Sequence, residues 1–293
     1  MTSRTWLLAA LLAALPTSPS AQEEDDLTAS AEEDQRAAAP APEHGKAATA
    51  DASPVDPGVL EVELGYAPVW NEHGGVAGFH LAENAFAHGF GGTLTYGVVA
   101  GLDVNLSTGF GTVYDRTARL ADPAAPVDGA GATDIGVGAR FRFLQLPEHA
   151  LELAVTADAT IPTGTSAGPH RLGLSQEFWS ARGALVATKD WGAFTANGEV
   201  AWATPFSGDA GGLRSVAQVN AAVGWQVTSW LQPELELNYQ AAIGPGSQVL
   251  TATAGVVAPF GAGNRVVAAM QHAVWGQNAT QTSGAILAFK TAL

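Results

Sequence analysis

The chain has 293 residues, no cysteine, 13 Lys and Arg against 28 Asp and Glu, and a formal net charge of −15. Without a thiol there is no lipobox, no disulfide framework and no thiolate metal centre. Without clustered bases there is no phosphate-backbone binding, so no nucleic-acid partner is expected.

Arg4 precedes the apolar run Trp6 to Leu15, and the small residues Pro16 to Ala21 follow it. Residues 1–21 read as a cleaved secretory signal peptide. The run is too short for a spanning helix, which needs about 20 residues. Residues 22–57 hold ten acids, only Arg36 and Lys46 as bases, and no aromatic. Such a composition buries too little apolar surface to offset ordering entropy. It is expected to be a disordered acidic Ala/Pro-rich periplasmic tether. Residues 58–293 are one block rich in Gly, Ala, Val and Thr.

Within this block the spacing predicts twelve strands, near 59–69, 86–97, 99–112, 131–144, 149–162, 172–188, 190–203, 213–227, 230–243, 247–259, 264–275 and 281–291. In the third, Leu102, Val104, Leu106 and Phe110 oppose Asp103, Asn105 and Ser107. In the fourth, Ile135, Val137, Phe141 and Phe143 oppose Asp134, Arg140 and Arg142. In the fifth, Leu151, Leu153, Val155 and Ile161 oppose Glu152, Thr156 and Asp158. The ninth is the clearest. Leu231, Leu235, Leu237, Tyr239 and Ile243 alternate with Gln232, Glu234, Glu236, Asn238 and Gln240. A period of two puts the two sets on opposite faces of a strand.

The links alternate between short (97–98, 145–148, 189–190, 228–229, 260–263) and mostly longer (70–85, 113–130, 163–171, 204–212, 244–246, 276–280). Short periplasmic turns and longer outer loops are the habit of outer-membrane barrels. Aromatics gather at strand ends. Trp191, Trp225, Trp230 and Phe260 flank short turns, while Trp70, Tyr114, Trp179, Trp202, Phe206 and Trp275 flank long loops. Two such groups suit two membrane interfaces. The expected fold is all-β: a closed antiparallel transmembrane β-barrel of about 12 strands, up-and-down, with hydrocarbon outside and a polar lumen.

Charges on the inward parity become candidate pore-lining residues: Asp103, Arg140, Arg142, Glu152, Asp158, Glu199, Arg214, Glu234, Glu236 and Arg265. Glu61, Glu63 and Asp134 share that face, whereas Glu177 and Arg182 differ in parity from each other. Opposed acids and bases lining a pore select solutes by charge and size. The same charges paired across the lumen would hold a closed barrel together. Twelve strands lie between the eight that enclose only side chains and the sixteen that enclose an aqueous channel. Loops 70–85 and 113–130 are the expected constricting elements. His73, His80, His88 and His170 fall in expected outer loops, but their spacing matches no ligand motif, so neither a metal nor a cofactor is expected. His272 and Ser283 would face each other across a hairpin on the lipid side, with Asn278 nearby. This arrangement raises a lipid hydrolase as a third reading, which needs an orienting group beyond the pair.

Three stretches carry a family likeness. They are Leu94 to Leu106 (LTYGVVAGLDVNL), Gly131 to Leu144 (GATDIGVGARFRFL) and Ala157 to Gly164 (ADATIPTG). The chain resembles the outer-membrane barrel family labelled phenol-degradation meta-pathway proteins, described as transporters. The likeness extends over roughly the barrel block. Thr165 occupies the place of an Asp, and Leu293 that of a terminal aromatic. The resemblance implies an outer-membrane barrel and a channel for small, apolar or aromatic molecules. The reading is a non-enzymatic outer-membrane channel of a Gram-negative bacterium, passing a small solute passively through a narrow charged lumen. The alternative is a structural or partner-binding barrel without throughput. The expected partners are outer-membrane lipid, the barrel-assembly machinery and a small-molecule solute, with the protein a monomer or a homo-oligomer.

Overall fold

The computed structural model describes residues 46–73, 85–115, 127–165, 174–176, 178–207, 215–243, 246–261, 263–279 and 281–293. Expected features in residues 1–45, among them the signal peptide and most of the acidic segment, lie outside the described residues.

The strands are β1 (Leu60–His73), β2 (Ala85–Val99), β3 (Leu102–Asp115), β4 (Val127–Ala132), β5 (Ile135–Leu146), β6 (Leu151–Ile161), β7 (Trp179–Trp191), β8 (Phe194–Ser207), β9 (Val216–Trp225), β10 (Gln232–Ala242), β11 (Gln248–Pro259), β12 (Arg265–Gln277) and β13 (Gln281–Ala292). All pairings are antiparallel; besides sequence neighbours, β3 pairs with β5, and β1 closes the ring against β13. β4 and β5 both pair with β3, so they form one wall position. The fold is therefore a closed antiparallel barrel of twelve strands. The expected fourth strand, 131–144, runs across a break at Thr133–Asp134 that its alternation does not disclose. Asp134 is spent there: its carboxylate accepts the Gly164 N–H at 2.9 Å and the Gln176 N–H at 2.8 Å. It ties the link after β6 back to the wall.

Closure is sealed where the ends meet. Leu60 N–H donates to Leu293 O at 3.3 Å and Leu293 N–H to Leu60 O at 2.8 Å. The short links lie at 100–101, 147–150, 192–193, 226–231 and 260–264; the first three come two or three residues later than expected. Gly101 (φ 83°) and Gly192 (φ 64°) make the tightest of them, in backbone conformations that other residues rarely adopt. His88, expected in a loop, lies in β2, where its Nδ1 meets Tyr66 Oη at 2.6 Å.

Alternation sorts the side chains as expected. Leu94, Leu106, Phe141, Val155, Leu185, Val200, Leu235, Leu237, Met270 and Leu287 are exposed around the whole outer wall. A soluble monomer does not carry an apolar belt of this extent; a barrel whose solvent is hydrocarbon does. Aromatics rim both ends. Trp191, Phe194 and Trp225 stack in a row beside the short turns, at 6.4 and 5.9 Å between centroids, and Trp179 meets Phe206 at 6.3 Å beside the long links.

Candidate functional site in the barrel lumen

β10 shows how a strand builds the lumen. Leu235 and Leu237 are half exposed to the outside, while Glu234 and Glu236 on the other parity are buried inside. The register sets Arg140 of β5 beside Asp103 of β3, and Gly138 of β5 beside Asp158 of β6. Glycine at 138 matters because a Cβ there would overlap the Asp158 and Asn105 side chains that meet over it.

Three guanidinium groups organise the charges. Arg140 grips Asp103 through Nη2 at 2.5 Å and Nε at 3.1 Å, and its Nη1 reaches the Asp51 carboxylate at 3.0 Å. Asp103 is 1% exposed, so this forked pairing is what makes its burial tolerable. Arg142 bonds Glu152 at 2.8 Å. Arg182 bonds Asp158 at 3.3 Å and also Glu199, which accepts from Asn220 at 3.0 Å. On the far side Lys290 pairs with Glu61, near Glu63 and Arg265.

Asp103, Arg140, Arg142, Glu152, Asp158, Glu199, Glu234 and Glu236 thus all reach the lumen. Arg265 lines a small cleft there with Lys46 and Lys290. Arg214 lies outside the described residues. Arg182 and Lys290 were missed as lining residues. For Arg182 the signal was present, since it shares parity with Ser180 and Thr188 in β7.

Composition gave no hint of the occupant. Residues 46–57, read as the end of a disordered tether, cross the lumen near its short-turn end. Ala48 and Thr49 donate their N–H groups to Glu236 at 3.0 and 2.8 Å, and Thr49 Oγ1 adds a bond of 2.7 Å. Ala52 N–H donates to Thr188 Oγ1 at 2.8 Å, Ser53 Oγ to Glu152 at 2.7 Å, and Val55 N–H to Asp103 at 3.0 Å. The segment then leaves over Gly97. A Cβ there would overlap the Asp56 and Val55 carbonyls. Burial pushes the Asp51 carboxyl up, but Arg140, with Lys290 and Arg265, outweighs this and holds it below the ordinary carboxylate range. Burial pushes the Lys46 ammonium down to about 8, against Glu234, Asp51, Glu236 and Asp190.

On the outer wall His272 and Ser283 do face each other, with Nδ1 and Oγ 2.8 Å apart. Ser283 is also the register partner of Trp70 on β1. The pair gives each polar group a partner on an apolar face, which burial against lipid demands. Asn278 lies in the link beyond β12, with φ 50°.

No family model matches the chain, and no curated protein shows significant similarity to it. Among solved structures it is similar to an outer-membrane channel from Pseudomonas putida F1. That likeness has a TM-score of 0.69 at 14% identity and covers 83% of this chain and 98% of that one. It is also similar to the NanC porin, with a TM-score of 0.51 at 8% identity over 80% of this chain and all of that one. At such identities the likeness is one of fold. The fold shared with them is the closed antiparallel β-barrel found in outer-membrane channels and porins. The phenol-degradation meta-pathway label receives no support of its own from these comparisons.

Proposed function

We propose that this protein is a passive outer-membrane channel for a small solute. The observation that carries the reading is the character of the inward face. Salt-bridged charges and amides line the lumen, and the inward apolar residues are mostly small, as Ala154, Ala184, Ala201, Ala222, Ala269 and Ala273 are. A barrel serving only as a scaffold is expected to fill with large interlocking side chains. Arg140 and Arg142 on β5, across the ring from Glu234 and Glu236 on β10, set a field across the path, which favours solutes by charge and width. The family likeness makes small aromatic or apolar molecules the first solutes to try. Their passage would follow the uncharged part of the wall. Outer-membrane lipid and the barrel-assembly machinery complete the expected surroundings, with oligomeric state an open choice between monomer and homo-oligomer.

Planar-bilayer recording of the refolded mature chain, paired with liposome swelling in candidate solutes, tests this. Stepwise current and solute-dependent swelling are expected. A silent protein that lets nothing swell would leave the scaffold reading in place. The His272–Ser283 contact supports a lipid hydrolase only if the wild-type protein cleaves phospholipid and Ser283→Ala ends the cleavage; no turnover is expected.

A further inference from the structure

The floor of the lumen holds residues 46–57 much as a binding site holds a ligand. The contacts come from β3, β5, β6, β7 and β10, on both sides of the barrel, and they are aimed at backbone as much as at side chains. Glu236 takes two successive N–H groups and a hydroxyl, Asp103 and Thr188 take one N–H each, and Arg140 takes both the carboxylate and the carbonyl of Asp51. The run Ala47 to Ala52 brings in no large apolar side chain. Recognition of extended backbone by polar groups, with one acidic anchor, suits an occupant that can leave and return. Peptide recognition elsewhere works in the same terms, with main-chain bonds giving affinity and a few side chains giving register.

We propose that the floor of the lumen is a binding site for an extended peptide anchored through a single carboxylate, filled in cis by residues 46–57 with Asp51 as the anchor, and that departure of this segment opens the path. The proposal rests on the channel reading above. The solute path and the segment compete for one space, because the segment spans from β10 to β3 between wall charges. Gly97 provides the exit notch, without which the chain could not pass from the lumen into β1.

The test uses bilayer recordings of the refolded mature protein and of a variant lacking residues 46–53, with folding of each checked by heat-modifiable gel mobility. Should the deletion fail to fold, full-length protein carrying Arg140→Ala and Glu236→Ala replaces it and is read by conductance alone, because it lacks the contacts that would hold an added peptide. The variant is expected to conduct several-fold more than wild type. A synthetic peptide of residues 46–57 is expected to block it, and the same peptide with Asp51→Ala to need about ten-fold more for equal block, from loss of a charge-assisted contact. Equal conductance of wild type and variant overturns the proposal, as does an open variant indifferent to the peptide. Silence of every folded form overturns the channel reading itself and is told apart by the absence of any current to block.

Discussion

The two ends of the lumen are made from the same strands and differ in kind. Toward the short turns the wall carries Asp103, Arg140, Arg142, Glu152, Glu234 and Glu236, each engaged with another charge or with residues 46–57. Toward the long links the inward positions hold Gly89, Gly109, Gly131, Ala203 and Val216. There the wall is thin enough for Leu174 to lie against Gly111 and for Thr165 to lie against Gly131. The charged end holds residues 46–57, while the small-residue end leaves room. Closed barrels permit this division because strand pairing holds the wall whatever the lumen side chains are, so those residues are spared for other work.

The largest expected effect breaks the charged end. Arg140→Ala strips the guanidinium from Asp103 and Asp51, and removing one partner of a buried pair costs about 3 kcal/mol. Thr160→Ala at the other end is expected to stay within about 0.5 kcal/mol. Urea unfolding of refolded protein, followed by tryptophan fluorescence, compares the two. Equal losses would show that the charges at the short-turn end are as weakly coupled to the fold as surface groups.

A smaller effect concerns how the segment leaves the lumen. Gly97→Val sets a side chain against the Asp56 and Val55 carbonyls, so chain must shift, at about 1–3 kcal/mol. Gly198→Val, whose Cβ would meet nothing within 4 Å, is expected to be silent. Limited proteolysis reads this: cleavage between residues 46 and 57 should quicken for the first and not for the second. Matching wild-type protection in Gly97→Val would mean that the exit notch is not required.

The smallest effect is a pH dependence of docking at the charged end. The Lys46 value falls from 10.5 to about 8 on docking, so the docked segment binds fewer protons between those limits. Docking therefore strengthens as pH rises through that window, and the full penalty is present below it. Asp51 is lowered as well, but for a carboxyl that shift favours docking. Its lowered value contributes hold above the ordinary 3.8, and that hold is lost as pH falls through the docked value. Closed time in bilayer recordings is expected to lengthen from about pH 8 to 10. Lys46→Met should remove the alkaline rise. A rise that survives the substitution would assign it to another group.

The strands were legible because alternation is local: Leu235 and Glu236 declare their faces within two residues. The first three short turns came out two or three residues early: Gly97 and Val98 still belong to β2, and the reversals come at Gly101 and Gly192, which carry positive φ. The break at Asp134 was hidden since its side chain keeps the inward parity while bonding to residues 164 and 176. Arg182 was overlooked because β7 presents Ala on both parities and so blurs its own pattern.

Residues 46–57 were the least readable part. Ala, Thr, Ser, Asp and Pro show no apolar period, and disorder is the fair reading of such a composition taken alone. What orders them is supplied from elsewhere in the chain, as when Glu236 binds residues 187 and 188 positions away. The sequence by itself determined which side chains meet hydrocarbon, because a strand needs only its own alternation to present two faces. The tertiary structure alone decided what occupies the lumen. That occupancy depends on ring closure and on strand register, and both bring together groups with no neighbourhood in sequence.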